Sequence, residues 1–189
     1  MLHKLLKKIA QSTALFCAVF AIFLVTASQT FAFDQNKVGV HILHTSEIEK
    51  AKEALSIEEL SQEKNGQNGE ENAPEIWNYV TIPLTLADIE DPERWQEFFD
   101  ACRKLRIIPL VRLTTRFDPE TNSWSVPTKA DIVRLISFLS NLQWPQEKKH
   151  IIVFNEVNHA KEWGGSIDPE QYARLLVFTG QWAHTEMKN

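Results

Sequence analysis

The sequence predicts an α/β fold: four strand–helix units in series, a partial, half (β/α)8 (TIM) barrel, with a small open sheet as the other arrangement of the same units. Three observations predict it. Short apolar runs alternate four times with apolar residues at helical spacing. The runs are nearly all apolar, as in a parallel sheet covered on both sides. No G-x-G-x-x-G or G-x-x-x-x-G-K-[ST] follows any run, so a nucleotide-binding fold has no support.

The elements follow in order. Lys37-Val-Gly-Val-His-Ile-Leu43 is apolar and β-branched, hence a strand. Ser46 and Glu49 have capping-box spacing, and Ile48, Ala51 and Leu55 continue a helical face toward Leu60. Residues 61–74 are polar and contain Asn-Gly pairs, which predicts a mobile surface loop. Tyr79–Leu84 is the second strand, with Pro83 tolerable only near its end. Asp91-Pro92 opens a helix whose face is Trp95, Phe98, Phe99, Cys102 and Leu105. Arg106–Leu113 is the third strand. A loop from Thr114 to Pro127 carries Phe117 and Trp124, and Thr128–Asp131 starts the third helix. His150–Phe154 is the fourth strand. Asp168-Pro169 starts the last helix, with Tyr172, Leu175, Leu176 and Thr179 on one face.

Residues 1–32 stand apart from this series. Lys4, Lys7 and Lys8 precede an apolar run from Thr13 to Ala27, and Thr30-Phe31-Ala32 has small residues where a signal peptidase reads. The expectation is a secretory signal peptide, with residues 33–189 as the exported domain. Left uncleaved, residues 13–28 would anchor the chain in a membrane. Its removal takes Lys plus Arg from 20 to 17 against 25 acids, and net charge from −5 to −8. An acidic exported domain is a poor partner for nucleic acid. Cys102 is then the lone cysteine, so no internal disulfide is expected.

Chemistry in such a fold gathers at the C-terminal strand ends. Those ends carry His41 and His44, Thr81 and Thr85, then Arg112, Thr114 and Thr115, and finally Asn155, Glu156 and Asn158. Strand ends turn polar in any case, so the histidines and threonines also read as ordinary loop residues. Nothing completes a ligand set with His41-x-x-His44; no metal and no cofactor is expected. Glu156 is singled out by alternation. Ile152, Phe154 and Glu156 would share one strand face, setting a carboxyl above an apolar floor. Desolvation there suits a general acid. Asn155 and Asn158 offer neutral partners for hydroxyls, with Arg112 and His41 at the neighbouring strand ends. Trp124 and Trp163 offer flat apolar surfaces for a sugar ring.

The stretch "FNEVNHAKEW" at 154–163 resembles the end of the fourth strand in clan-A glycoside hydrolases, which are (β/α)8 barrels. In that clan the strand ends in Asn-Glu, often followed by Pro; here Val157 follows. The resemblance implies Glu156 as acid/base and Asn155 as the residue holding the hydroxyl beside the reacting carbon. It also implies a nucleophilic Glu at the end of a seventh strand, beyond Asn189. Hydrolysis by two carboxyls in retaining enzymes needs them about 5–5.5 Å apart. The expectation is therefore an exported, glycosidase-like half barrel that binds carbohydrate and has little activity alone. Its open edges would invite self-association. A non-catalytic carbohydrate-binding or interaction domain is the competing reading.

Overall fold

The computed structural model describes residues 39–63 and 77–187. The expected leader lies outside the described residues, as does the expected loop from residue 64 onward. Among the described residues no helix is long and apolar enough to cross a membrane.

In chain order the elements are β1 (Gly39–His41), α1 (Ile48–Glu63), β2 (Asn78–Leu84), α2 (Pro92–Leu105) and β3 (Ile107–Leu113). A small hairpin of β4 (Phe117–Asp118) and β5 (Ser123–Trp124) follows. The chain continues with α3 (Lys129–Ser140), β6 (His150–Ile152) and α4 (Pro169–Glu186). The protein is α/β, with one four-stranded sheet in the order β1-β2-β3-β6. Every neighbouring pair in it is parallel. Each crossover between parallel neighbours runs through a helix, as parallel strands need a long connection.

Helix starts are set by local chemistry. Asp91 accepts from the Arg94 amide at 3.1 Å, and Pro92 follows where a missing N–H costs nothing. Thr128 and Asp131 form a reciprocal box, with the Asp131 amide donating to Thr128 Oγ1 and the Thr128 amide donating to Asp131 Oδ2. Asp168 accepts from the Gln171 amide at 2.8 Å. The first helix begins differently from the expected Ser46–Glu49 pairing. A 3-10 turn over Thr45–Glu47 leads into α1, and Glu47 Oε2 accepts from the amides of Leu43 and His44 at 2.8 and 2.9 Å. α1 then runs through Glu63, beyond the Leu60 that the apolar spacing reached.

The sheet has two unlike faces. Val80, Ile82 and Leu84 of β2 and Ile107, Val111 and Leu113 of β3 are at most 1% exposed. They join Leu55, Trp95, Phe99, Ile132, Leu135 and Ile136 from the helices in one core. The opposite face holds Tyr79, Thr81 and Pro83 on β2, and Leu110 and Arg112 on β3, all half-buried. Pro83 sits within β2, paired with Arg112. Thr81 turns its carbonyl toward β1, accepting from the Ile42 amide at 2.9 Å. Pro83 faces the same side by the two-residue repeat, and the β1–β2 pairing ends at His41 and Thr81, where Pro83 has no N–H to carry it further.

Three ring contacts bear on stability. Phe99 packs on Trp144 at 4.7 Å and on Trp95 at 6.2 Å. On the other face, Tyr79 and His150 meet edge-on at 6.4 Å. Burial and, after it, the Lys148 charge hold the His150 imidazole below its ordinary value of 6.5. Cys102 is buried in α2 at 0% exposure, and burial pushes its thiol up. Leu176, expected on the inner face of α4, is 40% exposed; Leu175 and Thr179 are the buried residues of that helix.

Phe99→Ala should lower the unfolding free energy by about 3–5 kcal/mol, read from urea denaturation. His150 is held neutral in the fold, so the unfolded chain binds its proton more readily. Stability should be intact above pH 6.5 and fall as the pH drops below it. Thermal melts from pH 7.5 to 5 should show this loss, with a shallower slope in His150→Gln.

Candidate functional site

The C-terminal strand edge opens into a cleft of about 250 Å3. β2 contributes Pro83 and the following Thr85. β3 contributes Arg112, Leu113, Thr114 and Thr115. The turn after β6 contributes Phe154 and Asn155, and two loops bring Trp124, Glu162 and Trp163.

Backbone and side-chain bonds fix these positions. The Leu84 carbonyl accepts from both the Thr114 amide at 2.9 Å and the Thr114 hydroxyl at 3.0 Å, extending the β2–β3 ladder past Leu113. Thr85 donates its hydroxyl to Asp88 at 2.6 Å. Arg112 Nη1 donates to Asn155 Oδ1 at 3.0 Å, tying β3 to the turn after β6. The hairpin raises Trp124 over the cleft, its ring edge-on to Phe117 at 5.5 Å. The loop after β6 is stitched to the hairpin where the Gly164 amide donates to the Trp124 carbonyl at 2.7 Å. Gly164 has a φ of +65°, and a Cβ there would meet Val126 Cγ2 at 2.9 Å. Only glycine suits that backbone and that approach.

Of the residues singled out in the sequence, Arg112, Asn155, Trp124 and Trp163 come together here. Glu156 does not. β6 ends at Ile152, two residues before the expected Phe154. Phe154 takes a φ of +66°, its amide donating back to the Ile152 carbonyl at 3.1 Å. Its ring is 6% exposed and packs 6.0 Å from Trp163. Burying that ring turns the chain and ends the two-residue alternation that would have aimed Glu156 inward. Glu156, at a φ of +29°, is exposed and lies off the cleft lining, as does Asn158.

Trp163 is in place but not as an open platform. It is 1% exposed, its indole N–H donates to Gln171 Oε1 at 3.0 Å, and Tyr172 packs edge-on at 5.6 Å. It braces the cleft, and Trp124 supplies the accessible ring. His41 is exposed at the end of β1, outside the lining. Partial desolvation, then the positive charge of Arg112, holds its imidazole below the ordinary value.

Glu162, which six residues beyond Glu156 in the same loop is expected to be solvated and no substitute for the second carboxyl, is the carboxylate that lines the cleft among the described residues. A 3-10 turn over Ala160–Glu162 carries it there, closed by the Gly165 amide donating to the Ala160 carbonyl at 2.8 Å. The Gly164-Gly165 pair after Trp163 was the sequence signal for such a tight return.

No protein-family model, no curated protein and no solved structure matches this chain. The site is a small cleft with one guanidinium, one carboxylate, an amide and an indole face among its lining groups.

Gly164→Ala should cost at least about 1 kcal/mol, because it strains the backbone and crowds Val126. The same substitution should raise Trp124 mobility, seen as a drop in steady-state fluorescence anisotropy.

Proposed function

We propose that this chain is an exported carbohydrate-binding domain, built as the first half of a (β/α)8 barrel of glycoside-hydrolase type and lacking hydrolytic power of its own. The half-barrel reading is supported by four parallel strands in consecutive order, each pair joined through a helix on the core side. The observation that carries the binding reading is the joining of Arg112, Asn155 and Trp124 in one cleft. Asn155 holds its amide oxygen to Arg112 and keeps its NH2 for a ligand hydroxyl. Trp124 gives a flat apolar wall against which the C–H face of a sugar packs.

Cleaving a glycosidic bond by the common routes takes two carboxyl groups flanking it. Among the described residues one carboxylate, Glu162, lines the cleft, while Glu156 is exposed off it. Glu162 serves as an acceptor for sugar hydroxyls in this reading.

The test is titration calorimetry against soluble oligosaccharides, beside turnover of aryl glycosides. Binding should be present and should weaken about tenfold or more in Trp124→Ala, in line with the loss of an aromatic contact and its buried area. Glu156→Gln should leave it unchanged, and turnover should stay at background. Turnover that vanishes in Glu156→Gln or Glu162→Gln would instead establish a working hydrolase.

A further inference from the structure

Four helix arginines set the ordinary case. Arg94, Arg103, Arg134 and Arg174 lie on helices, and each has a carboxylate within reach: Asp88 at 2.7 Å, Asp100 at 2.7 Å, Glu90 at 3.5 Å and Glu170 at 3.8 Å. Those side chains are 43–67% exposed, and water would satisfy them anyway. Arg112 is the reverse case. It stands on the open face of β3, half-buried, and among the described residues no carboxylate lies within 4.0 Å of it. Its recorded side-chain bond is to a neutral acceptor, Asn155 Oδ1. Its Nε is buried with no hydrogen-bond partner. A guanidinium cannot shed its proton, so a desolvated and uncompensated one is costly unless a counter-charge arrives.

The cleft offers a place for that charge. Arg112 lines it, Trp124 walls it, and Glu162 lines it without pairing to Arg112. A ligand that fits is polarised: negative where it meets Arg112, rich in hydroxyl donors where it meets Glu162. A volume of about 250 Å3 is below the roughly 300–1,000 Å3 of sites for drug-sized molecules, which favours a single ring over a long chain. We infer that the cleft selects an anionic sugar residue, with a ring-borne carboxylate or sulfate held by Arg112 and ring hydroxyls held by Glu162 and Asn155. This inference rests on the carbohydrate-binding reading and adds to it the class of sugar. Arginine is suited to the role because its rigid planar donors match carboxylate and sulfate oxygens.

The test uses the full chain and calorimetry with three probes: a glucuronate-terminated disaccharide, its neutral glucose counterpart and its 6-sulfated counterpart. An anionic probe should bind about tenfold tighter than the neutral one, the gain of one charge-assisted contact. Raising the salt concentration should narrow that ratio. Arg112→Gln should bring it close to one, and Arg112→Lys, which keeps the charge and the fold, should keep part of it. Tighter binding of the carboxylate assigns a uronic acid, and tighter binding of the sulfate assigns a sulfated sugar; either result bears the inference out. Equal affinity for charged and neutral probes, or a ratio that survives Arg112→Gln, overturns the inference and leaves carbohydrate binding standing. Failure of all three probes to bind overturns both.

Discussion

The parallel pairing of β2 with β3 is the constraint on which the other parts depend. Seven residues of each strand pair in unbroken register, from Asn78 against Ile107 to Leu84 against Leu113. One face of that ribbon is sealed under helices and the other is half open, so register and function are the same question. A slip by one residue would carry Val111 and Leu113 out of the core and drive the Arg112 guanidinium into it. The transfer would expose apolar surface and bury a charge together, and each change alone is unfavourable. Hydrophobic burial on the helix side thereby decides which residues reach the cleft on the other.

The rim of the cleft depends on polar bonds that continue the ladder after the strands end. The Leu84 carbonyl takes two donors from Thr114, and Arg112 reaches across to Asn155. The loops then lean on each other through Gly164 and Trp124. The result is a site on loops held by a rigid sheet, with short-range bonds setting each wall. Trp163 is buried behind the wall and Trp124 stays half-exposed, although both are tryptophans beside the same cavity.

Much of this was legible in the sequence, and the division has physical reasons. The starts of α2, α3 and α4 were readable because Asp91-Pro92, Thr128 to Asp131 and Asp168-Pro169 act within four residues of themselves. The core was readable from Trp95, Phe98, Phe99 and Cys102, whose helical spacing matches their burial. The end of β6 was not, because alternation assumes the strand continues. Phe154 is an apolar residue that a strand would keep, yet packing against Trp163, nine residues later in the loop, draws it out of line. Glu156 follows Phe154 out of line, because its inward aim requires a strand that reaches it. Glu162 was hidden for the matching reason: a turn placed it, and no periodicity reports where a turn points.

The burial of Cys102 gives the molecule a built-in reporter. A thiolate attacks reagents, a thiol barely does, and this one is both sheltered by α2 and pushed toward the protonated form. Maleimide or disulfide reagents thus meet an inert sulfur while the helix stays docked. The pace at which that sulfur becomes alkylated measures how often α2 lifts from the sheet, with no residue changed.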